Sequence, residues 1–316
     1  MIDFRYHVVS IVAVFLALAV GVVLGSGPLR TALIGELTNE SEQLRTDLAA
    51  AQEETEAARL QGVLGETFLT QAGPTLLGDS LTGVHVAIIR VNDPDLAEVT
   101  AIKDRLVEAG AEVTANVLIE PAWTDPSQTA FRVAFAAQIT ENVVGVDLTV
   151  APDRVLAHAL AQTLIPTDFP EGSGPTDSDP GTSTAADRAK VLLELLRGAN
   201  LVSGTVSGEV DAVIFVSGPG SEDVDERAIV SELYAQVVGI VEEYAGSVVV
   251  ATGPASAADI TSAIQSSALL SERVTTVTEA TNVYGYYVVA LALAVEIAGS
   301  AGHFGFGEDL TYFPGG

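Results

Sequence analysis

Residues 8–25, VVSIVAVFLALAVGVVLG, form an uncharged apolar run between Arg5 and Arg30. A helix rising about 1.5 Å per residue needs roughly this length to cross a hydrocarbon core of about 30 Å. The run predicts a transmembrane helix in contact with lipid, with an anchor at 1–27. The alternative is a cleaved signal peptide, whose apolar region would be shorter and end in a small-x-small site. Arg5 and the N-terminal amine against Arg30 and an acidic stretch place the N-terminus inside and the bulk outside. From about residue 29 to 62 the chain is rich in Leu, Ala, Glu and Gln without proline, which is strong helix composition. Leu33, Leu37, Leu44, Leu48 and Ala51 recur at helical spacing and make one stripe. A second copy of the chain is the simplest cover for that stripe, giving a coiled-coil stalk over 28–77 and a homodimer. Glu40 and Thr55 fall near the seam and weaken the heptad. A single helix packing on its own domain is the alternative.

Beyond Pro74 and the turn at 78–80 the period changes. Residues 84–91 read as a buried strand, 92–95 as a turn and helix cap, 96–109 as an amphipathic helix stopped at Gly110, and 112–118 as a second strand. A crossover of that kind forces the two strands to be parallel. The same order returns with strands at 211–218, 247–253 and 273–278 and helices at 225–244 and 256–267. These alternations predict a doubly wound, parallel-sheet α/β domain over 78–316. Helices are expected at 127–140, 152–164 and 186–196 between the two blocks. Residues 166–184 are dominated by Pro, Gly, Ser, Thr and Asp and predict a mobile surface loop. The apolar stretch 283–297 is short, contains Glu296 and follows the cap Thr281-Asn282, so it predicts a helix buried in the domain rather than a second span.

Composition narrows the function. Fourteen basic residues against 42 acidic ones give a formal net charge of −28. That excludes a nucleic-acid backbone as partner, since such binding needs clustered Lys and Arg. With no cysteine, disulfides, thiolate catalysis and zinc fingers are out of reach. His7, His85, His158 and His303 are scattered with no H-x-x-x-H pair, and Met1 is the sole methionine, so a soft-metal site has little to build on. Ligands of open α/β sheets bind beyond the carboxyl ends of the strands. Those ends carry Asn92, Asp93 and Asp95, the segment from Ser217 through Gly218, Pro219 and Gly220 to Ser221, and Thr252, Gly253 and Pro254. Their spacing fits neither dinucleotide nor P-loop fingerprints, and Phe215 stands where a nucleophile elbow needs glycine. Turn chemistry accounts for them, and no catalytic residue or cofactor is expected.

The segment 298–310 is the most unusual locally. Glycines frame His303, Phe304 and Phe306, so backbone can approach something closely there. Gly302, His303, Phe304, Gly305 and Phe306 are a candidate contact loop for a partner protein, the alternative being a tail folded onto its own domain. Residues 4–27, FRYHVVSIVAVFLALAVGVVLGSG, the strand VAIIRV at 86–91, and VVALALAVEIAGSAGHFGFG at 288–307 resemble the actinobacterial family named after mycobacterial copper transport protein B, MctB, also described as an outer-membrane channel. The likeness implies copper homeostasis by efflux across the envelope. It also brings in a corynebacterial member that works with a cytoplasmic-side partner to control peptidoglycan hydrolases in cell separation. Continuous apolar strands joined by helices are not the alternating strands of a membrane barrel, and one apolar helix per chain makes no wide pore. The residues themselves therefore favour a non-enzymatic scaffold.

Overall fold

The computed structural model describes residues 4–26, 28–147, 149–168, 184–306 and 310–314. The chain divides into two compact units, Met1–Gly65 and Glu66–Gly316.

In the first unit, helix α1 (Phe4–Ser26) is apolar on every side, and its stretch Phe4–Val23 is long and apolar enough to cross a membrane, with none of it buried. A second helix, α2 (Pro28–Leu77), is 50 residues long and runs from the first unit into the second. Pro28 opens it, where a missing N–H is harmless. It runs on past Gly62, where helical composition stops, through Gly73 and Pro74 to Leu77. Tertiary contact overrides glycine's poor propensity in the turns that belong to the second unit. Leu69 and Leu77 join a buried core, and Gly73 lets the ring of Tyr287 lie where any Cβ would overlap it. Tyr287 is 3% exposed and accepts a hydrogen bond from Arg105 Nη1 at 2.5 Å.

The second unit is built on a seven-stranded sheet. Its strands are β1 (His85–Val91), β2 (Glu112–Ile119), β3 (Val202–Val206), β4 (Ala212–Ser217), β5 (Val248–Thr252), β6 (Thr275–Val277) and β7 (His303–Phe304). The order is β3-β2-β1-β4-β5-β6-β7. All neighbours are parallel except β2 and β3. The sheet is thus mixed, with an antiparallel strand on one edge that the alternation of strands and helices does not announce. Gly204, at φ 113° in β3, packs against the backbone of Asn116 and Val117, and its carbonyl accepts from the Arg197 guanidinium.

Side chains alternate faithfully between the two faces. Ala87, Ile89, Val91, Val213, Phe215, Val248 and Val250 enter one core. It is closed by α4 (Thr129–Ile139), α5 (Pro152–Leu164), α6 (Ala185–Gly198), α7 (Val224–Ala245) and α8 (Ile260–Ser266). Val86, Ile88, Ile214, Val216, Val249 and Ala251 enter the other, beneath α3 (Leu96–Glu108), α9 (Val283–Ile297) and the end of α2. The strands read as unbroken apolar runs because both faces are covered. The same burial explains the apolar composition of α9, which rests on β5, β6 and α3.

Caps set the helix bounds. Asp95, Thr184, Asp223, Asp259 and Asn282 each accept from a first-turn amide, and Gly246 closes α7 in the left-handed region at φ 66°. Because Asp259 is the cap, α8 starts at Ile260 and not at 256. Most of the expected loop at 166–184, residues 169–183, lies outside the described part.

Glu296 and Glu242 are both buried carboxylates, and Glu296 is the one shifted furthest. Glu296, on α9, is 6% exposed and accepts from Thr275 Oγ1. Burial, with Glu242 adding repulsion, pushes its pKa up to about 7 against the pull of Thr275. The folded state therefore keeps a proton that the unfolded chain releases at lower pH. The stability this residue contributes is present below the ordinary glutamate range and is lost as pH rises through about 7. Glu296→Gln, which stays neutral, is expected to unfold about 5–10 °C higher than the parent at pH 8 and within a degree or two of it at pH 5, from roughly 2–3 kcal/mol of relieved penalty. Thermal unfolding of the full chain at both pH values checks this; an equal effect at both would contradict it.

Candidate functional site

The switch point of the sheet lies between β1 and β4, the two strands from which the order runs outward in opposite directions. Loops leaving their carboxyl ends part there and open a crevice. A cleft of about 580 Å³ occupies it, lined by the ends of β1, β4 and β5, the first turns of α3, α7 and α8, and Thr281. The strand-end residues read from the sequence, Asn92, Asp95, Ser217–Ser221 and Thr252–Pro254, converge on it. Asp93 does not line it.

Local backbone makes the convergence. Asn92 and Asp93 both adopt left-handed conformations, φ 55° and 48°, which turns the chain sharply out of β1. Gly218 meets that turn so closely that a Cβ would collide with the Asn92 carbonyl. Asn92 Nδ2 then donates to Ser217 Oγ at 3.1 Å, and Ser217 Oγ donates to the Gly218 carbonyl at 2.9 Å. Arg227 ties the β4 loop to the β5 loop, its Nη1 donating to Ser221 O at 2.7 Å and its Nε to Ala257 O at 3.0 Å.

Electrostatically the cleft is acidic. Asp95, Glu98, Glu222 and Asp259 line it against Arg227 alone. Burial, helped by Asp95, holds the Glu98 carboxyl above its ordinary value. Tyr286 behaves in the same way, raised by burial and by Glu98 and Asp95, and donates to Thr281 O at 3.1 Å. The helix N-termini that would normally welcome a phosphate are capped by the chain's own carboxylates. Asp95 accepts from Ala97 N at 2.8 Å, Asp223 from Asp225 N and Glu226 N at 2.9 and 3.1 Å, and Asp259 from Ser262 N at 2.8 Å. The strand order resembles that of dinucleotide-binding sheets, and the chemistry does not.

The histidines stay apart. His85 Nδ1 lies 2.8 Å from Asp211 Oδ2, His158 Nδ1 3.0 Å from Tyr244 OH, and His303 Nδ1 2.8 Å from Thr276 Oγ1. Burial keeps His158 and His303 below the ordinary histidine value. Among the described residues no three His, Asp or Glu side chains gather where they would hold a metal ion.

The residues singled out from the sequence are dispersed. Along α2, Leu44 and Leu48 are 63% and 59% exposed and Ala51 is exposed; for Leu33 and Leu37 only the helical backbone is described. In the tail, His303 and Phe304 form β7, beside β6. Gly302 N donates to Thr275 Oγ1 at 3.0 Å, Phe304 is 7% exposed within the core, and Gly305 is pressed against Thr278. Phe306 alone of that set is exposed, with its ring 5.3 Å from that of Tyr312. Residues 307–309 lie outside the described part. Sequence reading missed Glu98, Arg227, Ser231, Asp259 and Thr281 as cleft residues. Glu98 and Arg227 lie about one turn from a cap and Asp259 is one, so caps were the available signal for these three; Ser231, two turns into α7, carries none.

Comparison with known proteins adds the relatives. The copper transporter MctB of Mycobacterium tuberculosis strain H37Rv is 38% identical over 117 residues, 37% of each chain. Its counterpart in Mycobacterium bovis matches equally, and that of Mycobacterium leprae is 34% identical over 129 residues, 41% of each chain. The aligned parts thus cover well under half the length of these relatives. The family model described as copper transport outer membrane protein, MctB, matches residues 1–314. With one apolar helix long enough for a bilayer among the described residues, such a chain is membrane-associated. By a match that runs almost from end to end, the chain belongs to the MctB family.

Proposed function

We propose that this chain is a single-pass envelope protein, N-terminus cytoplasmic and α/β domain outside, that serves copper homeostasis through a partner and is neither a pore nor an enzyme. The carrying observation is the sheet. It is open, with β3 and β7 at its edges, and helices cover both of its faces. A membrane barrel closes on itself and turns an apolar band to lipid. Among the described residues the one helix suited to lipid is α1, and a single such helix per chain encloses no channel. In this reading copper is cargo moved by another protein.

A second reading is a homodimeric coiled-coil scaffold that passes a signal across the membrane to peptidoglycan hydrolases. Its support is the length of α2 and the exposure of Leu44 and Leu48, four residues apart on one face of the helix. Two exposed leucines on a long polar helix favour burial against a second copy. In the dimer the anchor, residues 8–25, lies in lipid and the chain meets an envelope or cytoplasmic-side partner.

Deleting the gene separates the readings. Copper hypersensitivity with normal division supports the first; chained, unseparated cells at ordinary copper support the second; a strain with neither phenotype contradicts both. The stalk is tested by Leu44→Glu with Leu48→Glu. Light scattering of the detergent-solubilised full chain is expected to give a dimer for the parent and a monomer for the double variant. A monomeric parent would remove the coiled coil.

A further inference from the structure

The strand-end cleft has the makings of a small-molecule site of its own, separate from the copper and scaffold readings. Its 580 Å³ falls within the roughly 300–1,000 Å³ typical of such sites. Ser231, on α7, lines it at 2% exposure, and among the described residues no hydrogen-bond partner faces its hydroxyl. That hydroxyl is not sealed away from the cleft, so water or a ligand there can pair with it. Around it stand the hydroxyls of Ser217, Thr252, Ser256 and Thr281 and the carboxamide of Asn92. These groups both donate and accept, which suits a ligand bearing several hydroxyls.

Charge decides which such ligand. Four carboxylates line the cleft against one arginine, and that arginine already holds two carbonyls. The helix N-termini are capped from within, so no site remains for a phosphate or sulfate. Pro219, Pro254 and Ile260 supply apolar surface for the C–H face of a ring. The geometry points to a binding site for a polyhydroxylated molecule of sugar size, uncharged or amine-bearing, seated on Ser231 and Asn92 with its amine toward Glu98 and Glu222.

Saturation-transfer NMR on the full-length chain, in a detergent without a sugar headgroup, tests this with three probes that share one ring: glucosamine, glucose and glucose 6-phosphate. Glucosamine and glucose are expected to receive saturation, glucosamine more strongly, and glucose 6-phosphate to bind roughly tenfold more weakly than glucose. Ser231→Leu, which fills the cleft, should abolish all three signals. Glu222→Lys lies on the exposed rim, where folding is not at stake, and should narrow the gap between glucosamine and glucose 6-phosphate. Saturation of none of the probes, preference for the phosphorylated sugar, or signals unchanged in both variants would overturn the assignment.

Discussion

The domain depends on the burial of both faces of one parallel sheet. Adjacent residues of β1, β4 and β5 send their side chains into different cores, so each strand must be apolar throughout and each face must find helices to cover it. On one face α4 to α8 do so. On the other, α3 cannot cover the sheet alone, and α9 and the last turns of α2 complete the layer. That requirement makes α9 nearly as apolar as a membrane span, and it makes glycine necessary at Gly73, where the Tyr287 ring lies against α2. Two apolar helices in one chain therefore have different solvents, hydrocarbon in prospect for α1 and protein for α9.

A sheet buried on both faces leaves its polar backbone accessible at the strand ends. There the loops after β1 and β4 diverge, and a cleft forms without any special device. Its character comes from the acidic composition. A chain with 42 acidic and 14 basic residues caps its helices with Asp, and the capping carboxylates take the positions that in other sheets of this order receive phosphate. The same acidic surplus thus also shapes the strand-end cleft.

Much of this was legible beforehand. Strand-helix alternation located β1, β2, β4, β5 and β6 and the helices between them, because period and cap residues are local signals. The two edge strands were not legible. β3 reads VSGTV, with a glycine and two hydroxyl residues, and β7 is two residues among glycines. Such segments become strands only because a neighbour offers an unpaired edge, Asn116 to Thr205 on one side and Thr276 to His303 on the other. For that reason the glycine-rich tail, read as a contact loop, turns out to hold a strand, with Phe304 buried and Phe306 exposed. The strand-end residues were identified from sequence as a set, while Arg227, Asp259 and Ser231 were not, since their meeting depends on how far α7 and α8 stand from the sheet.

The chain belongs to the MctB family, and its physics is that of a helix-covered sheet preceded by an apolar helix long enough to cross a bilayer. Its central claim is that one segment of the chain is solvated by hydrocarbon. A hydrophobic carbene reagent confined to the bilayer, activated by light with the full chain in liposomes and mapped by mass spectrometry, tests it directly. The account predicts labelling within Phe4–Val23 and none across Val283–Ile297. Labelling of Val283–Ile297, or of β1 and β4, would contradict it.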